Sequence, residues 1–510
     1  MNVPDHLSRA VQRYGKNVFA ICDESRATLA EINARAGALC GALAALGLKK
    51  GDRVAVLLEN SLQCIEIDFG LAKGGFVRVS LNPKSSSRDA DYILGDAEPA
   101  MTIYGASYTG LLGQLRNKHI GIRHWVRIND RAATSSAASD LHYETLVASN
   151  QNPTAPDISD EDDYCIFYTS GSSGMPKGVV LSHRSIVSSA NNVLTEFGPI
   201  VQTDRALLLQ PLSHGSAFFV LAYAMRGACI LLTREFDPGR VLRLVEDEKA
   251  TSMKLVPTML HRLLEEAGAD DTAFKDLKRV IYGGSHISGV TLRRALPIFG
   301  RRLFQHYGQS EAPSLITVLS GDDHAAHAAD SPVLSSAGRP ITTVEVRIVG
   351  KDGGNAGTNE IGEVVVRAPQ VMTRYWKRPD LTAAALQGGW LYTNDLGKID
   401  EQGYIYLLGR KDDMIISGGF NIAPKEVEDA ITTHPAVREV AVIGKPDVAW
   451  GQMVVAYVTV FDSALEGQEL IRHVKPLLGF KSPKQVRIVA ELPKNPNGKI
   501  DRKAVALIET

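Results

Sequence analysis

Between Tyr168 and Gly178 the chain reads Tyr-Thr-Ser-Gly-Ser-Ser-Gly-Met-Pro-Lys-Gly, residue types suited to gripping phosphate. Gly171 and Gly174 let the backbone turn and bring its N–H groups close to an anion. Thr169, Ser170, Ser172 and Ser173 add hydroxyl donors, and Lys177 adds a mobile positive charge. The spacing is not that of a Walker loop, because Pro176 stands where the second glycine before the lysine should be. Gly/Ser stretches also serve as plain turns or linkers, and composition alone does not separate the two readings. Residues 163–168 and 178–181 have strand character, so a hairpin-like connection is expected.

Two further spots have the look of ligand-binding turns. Gly283-Gly284-Ser285 ends a strand expected over 279–282, and Tyr307-Gly308 follows one over 302–305. In open α/β sheets ligands lie where strands end, so a nucleotide fits there; each pair reads equally as a tight turn.

The elements that must position these residues alternate. A helix is expected over 29–46, stopped by Gly47, then a strand over 53–58, a helix over 62–73 and a strand over 76–79. After the loop the alternation resumes at 206–210, 215–226, 228–233 and 251–256, with Asp237 as N-cap and Pro238 in the first turn of another helix. This pattern predicts an α/β fold, parallel sheets covered by helices. Residues 129–163, with Pro153, Pro156 and an acidic run, read as surface loop or linker. From residue 344 short strands predict a small β-rich lobe, and 415–510 read as a compact α+β unit.

With 510 residues the chain exceeds one ordinary core, and apolar and charged fractions of 44% and 22% are those of a soluble globular protein. A formal charge of -1 argues against a nucleic-acid partner held by counterion release. Five scattered cysteines without a CxxC pair, no apolar leader and no apolar run long enough to span a bilayer make a cytoplasmic protein the expectation.

The loop at 168–178 is similar to the signature loop of the acyl-adenylate-forming superfamily, which includes acyl-CoA synthetases, peptide-synthetase adenylation domains and luciferases. Tyr307-Gly308-Gln309-Ser310-Glu311 resembles its second motif, which implies a ring for adenine at Tyr307, a hydroxyl at Ser310 and a carboxylate for Mg²⁺ at Glu311. Tyr392-Thr393-Asn394-Asp395 is similar to the ribose-binding region, with Asp395 on the ribose hydroxyls and Asn394 in place of the usual glycine. Gly409-Arg410-Lys411-Asp412-Asp413 resembles the interdomain hinge, with Arg410 near the ribose and Asp412 as pivot. Ser417-Gly418-Gly419 matches the turn along the pantetheine tunnel, and Glu426-x-Glu428 reads as the polar first turn of a helix. Lys499 stands where the family has its adenylation lysine.

The resemblance implies a large N-terminal domain of two α/β lobes plus the β-rich lobe, 1–411, and a smaller domain on a hinge, 412–510. It implies ATP, Mg²⁺ and CoA, an acyl-AMP intermediate, and a small domain that rotates between adenylation and thiol transfer. Lys499, Glu311 and Lys177 are the expected catalytic residues. Gln210-Pro211-Leu212-Ser213-His214-Gly215 resembles the acid-pocket wall, so His214, Gly215, Ser216, Phe218 and Gly308 are expected around the acid. No acidic residue lies between Leu207 and Arg234 to pair with an ammonium, which favours a non-amino carboxylic acid. A carrier-protein thiol as acceptor, a homodimer, and a non-catalytic nucleotide-binding protein stand as the alternatives.

Overall fold

Parallel strands buried on both faces need helices on both sides, and the apolar runs between residues 18 and 319 meet that need in two sheets. The computed structural model describes residues 1–129, 140–149, 156–169, 175–268, 272–418, 420–448, 450–461, 465–495 and 499–508. One sheet, of eight strands, runs Arg374–Tyr375, Lys177–Ser182, Asp163–Thr169, Val77–Ser80, Arg53–Leu57, Met101–Gly105, His124–Ile128, Leu141–His142. The other, of nine, runs Arg339–Pro340, Thr317–Leu319, Leu303–Tyr307, Arg279–Gly283, Ser252–Leu255, Arg205–Leu208, Cys229–Leu232, Val18–Cys22, Ser25–Thr28. Both are parallel except at their ends.

A shared core lies between the two sheets. The helix Ala217–Arg226 buries seven of its ten residues there, as a helix apolar all round must. A buried polar cluster sits in the same layer: Arg78 pairs with Asp68 at 2.9 Å, and Tyr164 donates to Asp68 at 2.6 Å. All five cysteines are buried and free. A third, antiparallel sheet joins Glu345–Val349, Gly362–Arg367, Trp390–Ile399, Leu386–Gln387 and Ile405–Arg410. The smaller C-terminal domain has its own sheet and core, built on the long pair Val437–Asp447 and Gly451–Val460. Among the described residues no helix is long and apolar enough to cross a membrane.

Two expectations change, and two strand features go beyond them. The stretch 129–163 is not only linker: Leu141–His142 extends the eight-stranded sheet, and the helix Tyr143–Ala148 buries Tyr143, which donates to Glu66 at 2.8 Å. Val18–Cys22 precedes the first lobe in sequence yet pairs with Cys229–Leu232 in the second, a non-local pairing with no local signal. The strand Trp390–Ile399 runs through the 392–395 motif, whose turn is a bulge inside it where Asn394 has φ +60°. Glu428 is not a solvated first-turn carboxylate; it is buried, accepts from Val442 N–H at 2.9 Å and pairs with Arg502 at 2.6 Å.

Candidate functional site

The strand Leu303–Tyr307 ends in Tyr307, and Gly308 then lets the chain pass close to itself: a Cβ there would sit 2.5 Å from Ser314 O, so no other residue fits. Tyr307 donates its hydroxyl to Asp395, and burial beside that carboxylate drives the phenol pKa far up, keeping it a donor. Asp395 also receives Gln309 Nε2, and Arg410 Nε at 2.9 Å, while Arg410 Nη1 reaches Thr393 O at 3.1 Å. The motifs at 307–311, 392–395 and 409–413 thus meet in one hydrogen-bonded knot. Asn394, in its left-handed conformation, donates to Asp412 Oδ2 at 2.9 Å and ties this knot to the turn Lys411–Asp413.

At the phosphate end Ser170 to Gly174 lie outside the described residues, but both strands that carry the loop are in place: Asp163–Thr169 pairs antiparallel with Lys177–Ser182, with Thr169 opposite Lys177. The short strand Arg374–Tyr375 adds to the same edge, setting Tyr375 opposite Val179. Tyr375 donates to Glu311 Oε1 at 2.8 Å, and Lys177 Nζ lies 5.7 Å from its ring centre. Nothing in the sequence around Tyr375 marks it; its role comes from the edge pairing. No cluster of three or more His, Cys, Asp or Glu side chains stands ready for a metal among the described residues. The single carboxylate of Glu311 fits Mg²⁺, which binds through one or two carboxylates with phosphate oxygens completing its shell.

A cleft of about 790 Å³ separates the two domains. Gly284, Ser285, Tyr307, Gly308, Asp395 and Arg410 line it from the large domain; Lys425, Asp429, Lys499 and Arg502 face them from the small one. Lys499 is held at its backbone by Asn495, whose Oδ1 accepts from Lys499 N–H at 3.1 Å and whose N–H donates to Lys499 O at 2.7 Å. Its pKa is lowered by enclosure in the cleft and by Arg410, an effect opposed by Asp395 and Glu311. The lysine from the far end of the chain therefore stands in the same cleft as Tyr307, Asp395 and Arg410. Ser417 and Gly418 do not line it; Gly418, at φ +58°, packs so close to Trp450 that a Cβ would lie 2.9 Å from the indole, and Gly419 lies outside the described residues.

The pocket-wall segment is fastened by two residues that the sequence did not flag. Asn60, buried between a strand and a helix of the first lobe, donates to Gln210 O at 3.2 Å and Thr233 O at 3.1 Å and accepts from Leu212 N–H at 2.8 Å. Arg78 donates to Leu212 O at 2.8 Å. His214 follows, half-buried, its pKa lowered to about 4 by burial and by Lys499 and Lys254, so it is neutral near pH 7. Ser216 is fully buried with an unpartnered Oγ. Phe218 packs against Phe167, ring centres 5.1 Å apart; the fully buried Phe219 ring has His306 at 6.2 Å and Lys254 Nζ at 5.5 Å. Lys254, 4% exposed on a strand that otherwise reads as plain core, donates to Gln210 Oε1. A Cβ on Gly215 would lie 3.8 Å from its Nζ.

Comparison with known proteins agrees with this geometry. The chain is 33% identical to a medium/long-chain-fatty-acid–CoA ligase, FadD8, of Mycobacterium tuberculosis, over 98% of this chain and 88% of that one. It is 34% identical to a feruloyl-CoA synthase of Amycolatopsis, over 93% and 92% of the two chains. Its fold superposes on the amide bond synthetase McbA of Marinactinospora thermotolerans with a TM-score of 0.90 at 28% identity, covering 100% of both. Residues 426–499 match the C-terminal domain of AMP-binding enzymes. Residues 7–376 match the AMP-binding enzymes themselves, and the chain belongs to that family.

Proposed function

We propose that the protein is an AMP-forming acid–thiol ligase: it activates a non-amino carboxylic acid with ATP and passes the acyl group to CoA. The observation that carries this reading is the placing of Lys499, from the small domain, in the same cleft as Asp395, Arg410 and Tyr307. A carboxylate oxygen attacks the α-phosphorus, the bond to the bridging oxygen of the β-phosphate breaks, and pyrophosphate leaves. Charge accumulates on the phosphate oxygens, and Lys499 and Lys177 stand where it develops. Glu311 would hold Mg²⁺, which when bound would supply charge neutralisation there. Tyr375 holds Glu311 for that task, and Asp395 with Arg410 receives the ribose.

In the second reaction the thiol sulfur bonds to the acyl carbon, the acyl–phosphate bond breaks, AMP leaves and the thiol proton is released. Ser417 and Gly418 are outside the cleft, so thiol transfer calls for a second orientation of the small domain, with Asp412 as the pivot between domains at 1–411 and 412–510. The fatty-acid and feruloyl ligases among the relatives support CoA as acceptor, and the five free cysteines support a cytoplasmic setting. The test is pyrophosphate release with ATP, Mg²⁺ and a panel of aliphatic, aromatic and polycyclic acids, followed by thioester formation with CoA or with a phosphopantetheinylated carrier. Acid-dependent pyrophosphate with thioester on free CoA supports the proposal. Thioester on the carrier alone, or no acid-dependent pyrophosphate, rejects it.

A further inference from the structure

The wall of the acid site holds polar groups that a hydrocarbon acid would leave without partners. Lys254 occupies the strand Ser252–Leu255, opposite Leu208 and Ile281, and points to the start of the helix Ala217–Arg226, where Gly215 and Phe219 meet it. Gln210, 8% exposed, is the one hydrogen-bond partner it has among the described residues, and no carboxylate pairs with it there. An ammonium has three donors, so two are unspent in a place where water is scarce. Burial with no countercharge, together with Lys499, pulls its pKa down to about 7. Beside it stands His306, 7% exposed, whose Nδ1 donates to Ser314 O at 2.9 Å. That bond fixes the proton on Nδ1 and leaves Nε2 a bare acceptor, and Nε2 has no partner among the described residues. The hydroxyls of Ser213 and Ser216 on the pocket-wall segment are likewise buried and unpartnered among the described residues.

Buried polar groups without partners are costly, and a purely apolar occupant would make that cost permanent. We propose that Lys254, set by Gln210, reads an oxygen acceptor on the acid away from its reacting carboxylate, so that the substrate is an oxygenated acid and not a plain hydrocarbon one. A hydroxyl, an oxo group or a second carboxylate each offers that acceptor. A hydroxyl could also donate to His306 Nε2, and a second carboxylate would supply the countercharge that Lys254 lacks. The inference rests on the acid-activating reading above and narrows its substrate class.

The test is pyrophosphate release by the full chain with acids matched in length: an alkanoate, its ω-hydroxy and ω-oxo forms, and the α,ω-dicarboxylate, with cinnamate and 4-hydroxycinnamate as the aromatic pair. At least one oxygenated acid should exceed its plain partner by about tenfold or more in kcat/KM, since sites built to hydrogen-bond a substrate reject the analogue lacking the group. Lys254→Met should bring that ratio to within about threefold of unity, on the same principle. Gln210→Glu, which gives Lys254 a resident countercharge, should lower the ratio too and decides the matter if the methionine variant does not fold. The member of the series with the highest ratio identifies the group that is read. The inference is overturned, with acid activation intact, if plain acids release pyrophosphate as well as every oxygenated partner, or if the ratio survives both substitutions. No release with any acid overturns both readings.

Discussion

Replacing Asn60 by leucine tests how the acid site is held. Leucine has the same heavy-atom count and branching but is bulkier, so the change removes polar contacts without opening a cavity. Asn60 is 4% exposed and serves three backbone groups, Gln210 O, Thr233 O and Leu212 N–H, at 2.8–3.2 Å. Leaving a buried backbone group unpartnered costs about 1 kcal/mol at the lower end, so about 3 kcal/mol of large-domain stability should be lost. The functional effect should be selective. The segment carrying Gln210 and His214 loses its fastening, whereas the nucleotide knot around Asp395 shares no contact with Asn60. Since small misplacements of positioning groups are expensive, the KM for the acid should rise about tenfold or more with the KM for ATP little changed. Guanidinium unfolding gives the first quantity and pyrophosphate-release kinetics the second. Asn60→Asp serves as control: it keeps the acceptor for Leu212 N–H but turns a negative oxygen toward two carbonyls, and should cost at least as much stability. A stability loss with both KM values unmoved, or with the ATP KM rising equally, would refute the reasoning.

Tyr375→Phe removes one hydrogen bond to the Glu311 carboxylate, a loss of about 1.5–3 kcal/mol for a charged acceptor. It should raise the Mg²⁺ concentration needed for half-maximal pyrophosphate release by about tenfold, and an unchanged titration would contradict the role given to Tyr375. Asn394→Gly removes the bond to Asp412 and suits the left-handed backbone. It should leave ATP binding within about threefold while speeding proteolysis at the hinge turn, an outcome that equal digestion of both proteins would exclude. For Lys254 the folded pKa of about 7 lies below the ordinary 10.5, so the folded state binds fewer protons between those values. Its contribution to stability is complete above about 10.5 and is lost as pH falls toward about 7. Relative to Lys254→Met, wild-type stability should therefore climb by about 1.4 kcal/mol per pH unit above pH 7, and a flat difference would show that the ammonium is not desolvated.

Much of the site was legible because its motifs are local: a strand, a turn and a reactive side chain within a few residues. Tyr307-Gly308, Asp395 and the 409–413 turn stand out in order and the structure brings them together, and the Asp237 cap is equally plain, accepting from Arg240 N–H at 2.8 Å. What could not be read depends on partners far away in sequence. Tyr375 matters because a two-residue strand pairs with Lys177–Ser182, and Asn60 and Arg78 because the second lobe packs its loop onto the first. Lys254 passed as a strand residue, since neither its burial nor its neighbours Gln210 and Phe219 follow from the sequence around it. Phe218 and Phe219 show the limit in miniature: a helix of this apolarity has no face that sequence can assign, and only packing tells which ring meets Phe167 and which lies by Lys254.

The central claim is that Lys499 acts in adenylate formation and leaves the centre before thiol transfer. Its direct test measures the two half-reactions of Lys499→Ala separately: acid-dependent pyrophosphate release, and thioester formation from supplied acyl-adenylate and CoA. The expected result is a loss of about a hundredfold or more in the first with the second largely kept, as for removal of a group aimed at transition-state charge. Equal loss in both half-reactions would contradict the account.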